Sequence, residues 1–150
     1  MDEARISTSG LLRRLTRTKN ITGFIKRYDK QTEYVPFSEV VNSLCAERKV
    51  TPAQAIKQSG IERTYGHQLF NGNRTPSRDN VIRLAFGFEM DYNETQTLLK
   101  RARKSALYPK LKRDAVVIFA LNRKLNIMDV QLTLDELGLP LLGKEERTYE

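Results

Sequence analysis

The sequence predicts an all-α protein. Apolar residues recur at spacings of three and four along nearly the whole chain. Capping residues stand at the heads of those stretches and glycines or prolines near their ends. The one stretch of strand-like composition, Ala115 to Leu121, lies inside a helical period. With 150 residues, the chain is long enough for about one domain and a second small lobe.

Leu11, Leu12 and Leu15 mark a first short helix, and Ile21, Phe24, Ile25 and Tyr28 a second, with a break and a new cap between Thr16 and Asn20. Residues 21–28 are expected to pack on the main domain through Ile21, Phe24 and Ile25. The polar stretch Asp29 to Glu33 reads as a linker running to Pro36. Phe37, Val40, Val41, Leu44 and Cys45 then share one helical stripe. Thr51-Pro52-Ala53-Gln54 is a start signal: threonine accepts from orphan amides, proline needs no donor at the first helical position, and glutamine closes a capping box. That helix buries Ala55 and Ile56 and stops at Gly60. The next spans Ile61 to Phe70 and ends at Asn71-Gly72. Ser77 caps a helix carrying Val81, Ile82, Leu84 and Ala85, and Asp91 opens another with Tyr92, Thr95, Leu98, Leu99 and Ala102 inward. Tyr108-Pro109 is a breaker.

Beyond it the chain repeats itself at an offset of 35 residues. Arg78-Asp79 aligns with Arg113-Asp114, Val81 with Val116, Ile82 with Val117, Ala85 with Ala120, Gln96 with Gln131 and Leu99 with Leu134. The matches fall mostly on inward positions, so a helix pair is used twice, with the second pair expected to stack on the first. In the second copy Leu125, Ile127, Val130, Leu134 and Leu137 form a core stripe, which Leu139, Leu141 and Leu142 extend outward.

Composition narrows the function. The net charge is +8, of which residues 1–34 and 35–105 each carry +4, while residues 106–150 are neutral. A polyanion is thus expected to meet residues 1–105. The longest apolar run is far short of the roughly 20 residues that span a membrane. Leu11-Leu12 is followed at once by Arg13-Arg14, unlike a secretory signal core. The single cysteine, Cys45, agrees with a reducing cytoplasm. His67 is the only histidine, and no cysteine pair, carboxylate pair or phosphate-cradling loop accompanies it. No enzymatic activity, metal or cofactor is expected.

Thr51, Ala55, Gly60, Ile61, Arg63, Thr64, Leu69, Gly72, Arg74, Pro76 and Ser77 carry a specific pattern. In it, residues 51–76 resemble the helix-turn-helix of the lambda-repressor-like (Xre-type) family, with Ser77 opening the helix that follows. The resemblance covers roughly residues 37–100. It implies a helix-turn-helix bundle, here extended by a C-terminal helix pair. The expected organisation is a basic arm or short helices over 1–34, a helix-turn-helix domain over 35–105, and a helical lobe over 106–150 packed on it. The resemblance further implies a cytoplasmic, bacterial, sequence-specific DNA-binding transcriptional regulator whose helix 61–70 reads the major groove of double-stranded DNA. Arg63, Thr64 and Gln68 would contact bases: arginine suits a guanine edge, glutamine an adenine, and threonine either edge or a thymine methyl. Thr51, Tyr65, His67, Asn71, Asn73 and Arg74 would contact phosphates, with the amides at the start of the Thr51 helix as a further phosphate site.

Two positions depart from the family's pattern. Gly66 stands where the family buries isoleucine or valine, with Tyr65 or Phe70 expected to fill the gap, unless the helix sits closer to its neighbour. Phe70 stands where the family often has glutamate. Arg74 has an alternative role in a salt bridge to Asp79 or Glu62. The basic residues Arg13, Arg14, Arg17, Lys19, Lys26 and Arg27 fit an arm along DNA phosphates or the minor groove, a packed helix, or a membrane-surface helix whose apolar face is short. Homodimerisation and a protein partner on the C-terminal helices both remain open. So do two rival functions, a protein-interaction adaptor and a sequence-independent nucleic-acid binder.

Overall fold

The computed structural model describes residues 6–29 and 35–143, which form α-helices and no strand. Part of the linker expected over Asp29 to Glu33 lies outside the described residues. The chain divides into two compact units, residues 1–34 and 35–150.

The first unit holds α1 (Thr8–Arg17) and α2 (Ile21–Arg27). Ser7 caps α1 by accepting from the Gly10 amide, and Asn20 caps α2 by accepting from the Gly23 amide. Phe24 and Tyr28 are buried and lie ring against ring at 4.8 Å, and an Arg14 guanidinium nitrogen donates to the Tyr28 hydroxyl at 3.0 Å. Ile21 and Ile25, expected to be packing residues, are exposed.

The second unit consists of α3 (Phe37–Arg48), α4 (Pro52–Ser59), α5 (Arg63–Asn71), α6 (Arg78–Gly87), α7 (Tyr92–Arg101), α8 (Lys112–Asn122) and α9 (Ile127–Glu136). Its centre is α6, in which every residue from Asn80 to Gly87 is buried. Helix α4 crosses α6 closely at Gly87, where a Cβ would lie 2.6 Å from the Ala55 carbonyl oxygen. Val41, Leu69, Val81, Ile82, Leu84, Leu98, Leu99, Val117, Leu121, Val130 and Leu134 fill one continuous core. Cys45 belongs to it, and burial raises its thiol pKa above the ordinary value.

The 35-residue repeat is visible bond for bond. Gln96 bridges the backbone of Leu107, donating to its carbonyl and accepting from its amide, and Gln131 does the same for Leu142. Arg78 donates to the carbonyls of Ser105 and Ala106, and Arg113 to those of Pro140 and Leu141. Capping boxes open α7 (Asp91 with Glu94) and α9 (Asn126 with Asp129). Each copy thus closes its own tail onto its own helices.

The copies join through an exchange. Arg78 pairs with Asp114 of the second copy at 3.2 and 2.9 Å, and Arg113 returns to Asp79 of the first at 2.9 and 2.7 Å. A translational stack would pass Arg113 onward to a third copy. Reciprocal pairing instead belongs to a local two-fold, which closes after two copies. This arrangement explains why Leu142, expected to point outward, is fully buried: Gln131 and the Arg113 clasp fold the tail back onto the core. Leu137, expected in the core stripe, is exposed at the outer edge of α9.

Candidate nucleic-acid interface

Helices α4 and α5 meet at a short corner built from local chemistry. The Thr51 hydroxyl accepts from the Gln54 amide at 3.1 Å while Gln54 Oε1 accepts from the Thr51 amide at 2.9 Å. Helix α4 ends at Gly60, with φ +71°, a left-handed conformation that costs a side chain more than glycine. Ser59 braces the corner: its hydroxyl donates to the Ile56 carbonyl and accepts from the Ile61 amide. Ile61 is buried beneath it.

A second brace comes from below. Arg83, 8% exposed, rises from α6 and donates to the carbonyls of Ser59 and Gly60. Those carbonyls are orphans of the α4 C-terminus, and a buried guanidinium can satisfy several at once. At the far end, Asn42 of α3 donates to the Phe70 carbonyl at 2.9 Å and so holds the C-terminal turn of α5. Sequence reasoning missed both. Arg83 had a signal, a lone cation inside the apolar run Val81 to Phe86. Asn42 had none, because its partner lies 28 residues away.

The helix starts two residues later than Ile61. Glu62 is the cap, accepting from the Tyr65 amide at 2.8 Å, and Arg63 is the first helical residue. Hydrogen bonds from the Tyr65 and Thr64 backbone hold the Glu62 carboxyl pKa below its ordinary value. This carboxylate therefore occupies amides at the α5 N-terminus that would otherwise attract a phosphate. At the α4 N-terminus the capping box engages the Thr51 and Gln54 amides in the same way.

Gly66 is a contact residue. A Cβ there would lie 2.5 Å from Ile56 Cγ2, so Ile56 of α4, and neither Tyr65 nor Phe70, fills the space. Phe70 is buried in the core. The expected isoleucine or valine of α5 is replaced by one reaching in from the neighbouring helix, and the two helices sit close.

What remains outward is Arg63, Thr64, Asn71, Asn73 and Arg74, all exposed, with Tyr65, His67 and Gln68 half-buried. Arg74 takes neither partner named as its alternative: Asp79 is held by Arg113 and Glu62 by α5. Instead Arg74 Nε donates to Gln68 Oε1 at 3.0 Å, and its guanidinium lies 5.7 Å from the Tyr65 ring centre. Asn71, though exposed, accepts from the Asn73 amide and so caps its own loop. The surface thus places two side chains at the head of α5 and a Tyr65–Gln68–Arg74 group along its body. No helix among the described residues is long and apolar enough to cross a membrane. Comparison with protein-family models, curated proteins and solved structures gives no match to this chain.

Proposed function

We propose that this chain is a sequence-specific DNA-binding transcriptional regulator, and that α4, its corner and α5 act as a lambda-repressor-like helix-turn-helix. The observation that carries the reading is α5 itself: a short helix held by Ile56 and Asn42 after a corner that Arg83 braces, with Arg63 and Thr64 exposed at its N-terminal end. A major groove admits a helix of this size and is read by side chains at its start. The net charge of +8 supports a polyanionic partner.

In this reading Arg63 grips a guanine edge and Thr64 a neighbouring base. Adenine recognition uses the glutamine oxygen as acceptor, and here that oxygen already accepts from Arg74. That oxygen keeps a second lone pair, so Gln68 can accept from adenine while Arg74 Nε holds its orientation. His67, Asn73 and Thr51 serve as neighbouring phosphate contacts. Gly66 and Phe70, the two departures from the family's pattern, are both packing residues. No catalytic role is assigned to the chain.

Selection of bound duplexes from a random pool tests the proposal. One enriched sequence supports it, whereas binding without preference favours a sequence-independent role. Within the enriched site, Arg63→Ala should cost roughly 1–3 kcal/mol and relax preference at one base pair, while Arg74→Ala weakens all sequences alike. If Arg63→Ala leaves preference untouched, the assignment of the reading residue is wrong.

A further inference from the structure

The internal repeat allows the outer faces of its two copies to be compared position by position. Facing solvent on α7 are Asn93, Thr97, Lys100 and Arg101. Thirty-five residues on, α9 carries Met128, Leu132, Asp135 and Glu136 at the same places. Inward positions keep their character, with Gln96 and Gln131, Leu99 and Leu134 making equivalent contacts. The divergence lies on the solvent side, where polar residues have become apolar and cations have become anions.

Packing gives no reason for that change. Met128 is 70% exposed and Leu132 58% exposed, and their spacing of four sets them in one stripe. Asp129, Asp135 and Glu136 flank the stripe and are exposed. Helix α9 contains no basic residue, so it carries three negative charges in a chain whose net charge is +8. Among the described residues, no ion pair uses Asp135 or Glu136. Single exposed apolar residues are ordinary, but an apolar pair at helical spacing with a one-signed rim is a recognition pattern.

We infer that the outer face of α9 docks a basic amphipathic helix of a partner protein. Charge selects the occupant. Nucleic acid and anionic lipid are repelled by the carboxylates, and two α9 faces brought together by a two-fold would set like charges opposite each other. A helix with leucine or isoleucine three or four residues apart and lysine or arginine alongside meets both parts of the face. The inference does not rest on the DNA reading, because it uses a different helix and the opposite charge.

The test uses the full chain and an 18-residue leucine/lysine amphipathic helical peptide, with a lysine/glutamine peptide of equal charge as control. Binding is followed by fluorescence anisotropy of the labelled peptide. One variant returns α9 to the residues of α7: Met128→Asn, Leu132→Thr, Asp135→Lys and Glu136→Arg. Two milder variants separate the contributions, Met128→Ser with Leu132→Ser, and Asp135→Asn with Glu136→Gln. All sites are exposed, and unchanged circular dichroism and thermal midpoint certify folding. The expected result is preference for the leucine/lysine peptide, weakened by salt, and lost by about tenfold or more in each variant. Equal binding of both peptides, or equal binding by wild type and the four-site variant, overturns the proposal. So does sedimentation showing a homodimer that the two-serine variant dissolves, since the face would then serve a second copy. Any DNA affinity is expected to persist in all three variants, so the two readings fail separately.

Discussion

Replacing Asp114 by alanine tests whether the exchanged arginine clasps hold the two copies of the repeat together. Asp114 is 3% exposed and accepts three hydrogen bonds, two from Arg78 at 3.2 and 2.9 Å and one from the Tyr108 amide at 2.9 Å. Its loss leaves the Arg78 guanidinium without its paired carboxylate, though the charge of Asp79 still reaches it, and the Tyr108 amide without its acceptor. Breaking a fully buried pair costs about 3–5 kcal/mol. The Arg78 side chain is a quarter exposed and keeps the Ser105 and Ala106 carbonyls, so water and backbone recover part of that. A net loss of about 2–3 kcal/mol is expected. Urea unfolding followed by circular dichroism reads it directly. At a slope of about 1.5 kcal/mol per molar, the midpoint falls by roughly 1.3–2 M. Adding Arg78→Ala should cost much less than its own single effect, with a coupling of about 1–2 kcal/mol, because the stranded cation is then gone. A change below about 0.5 kcal/mol in Asp114→Ala, or strictly additive losses, would refute the clasp as the joint between the copies.

Other consequences follow from neighbouring residues. Burial tends to raise the Asp79 pKa, but hydrogen bonds from Arg113 and the Gly143 amide, with the charges of Arg113 and Arg78, outweigh it and hold the carboxyl below its ordinary 3.8. The folded state therefore binds that proton less readily than the unfolded chain. Its stabilisation is full above about pH 4 and is lost as pH falls through the depressed folded value. Asp79→Asn should flatten the acid limb of a stability–pH curve, and an unchanged limb counts against the pairing. Gly66→Ile should destabilise by about 1–3 kcal/mol through overpacking against Ile56. The double change with Ile56→Ala should recover part of the loss, whereas an equal loss in both would show that Ile56 is not the obstacle.

Much of the fold was legible because it is local. Thr51, Asn20, Ser77 and Asp91 act as caps where the sequence places them, and Gly60 turns where a left-handed residue is needed, since these preferences depend on neighbours within a few positions. The repeat was readable too, because Arg-Asp and Gln recur at a fixed offset. Other details were not. Which aspartate answers which arginine is a choice between chain segments 34 and 36 residues apart, and only packing makes it reciprocal.

The candidate site divides along the same line. That Arg63, Thr64 and Arg74 stand outward follows from helical period and corner chemistry, both carried by the sequence. That Gln68 is engaged by Arg74, that Ile56 fills the place above Gly66, that Arg83 braces the corner and that Asn42 braces α5 were decided by tertiary structure. Each depends on a side chain reaching a neighbour that no fixed spacing predicts. The sequence alone thus determined an all-helical chain with a duplicated helix pair and a short helix that sets Arg63 and Thr64 outward. Packing decided that the duplication closes on itself, because each partly exposed guanidinium takes the more deeply buried carboxylate that the folded core brings within reach.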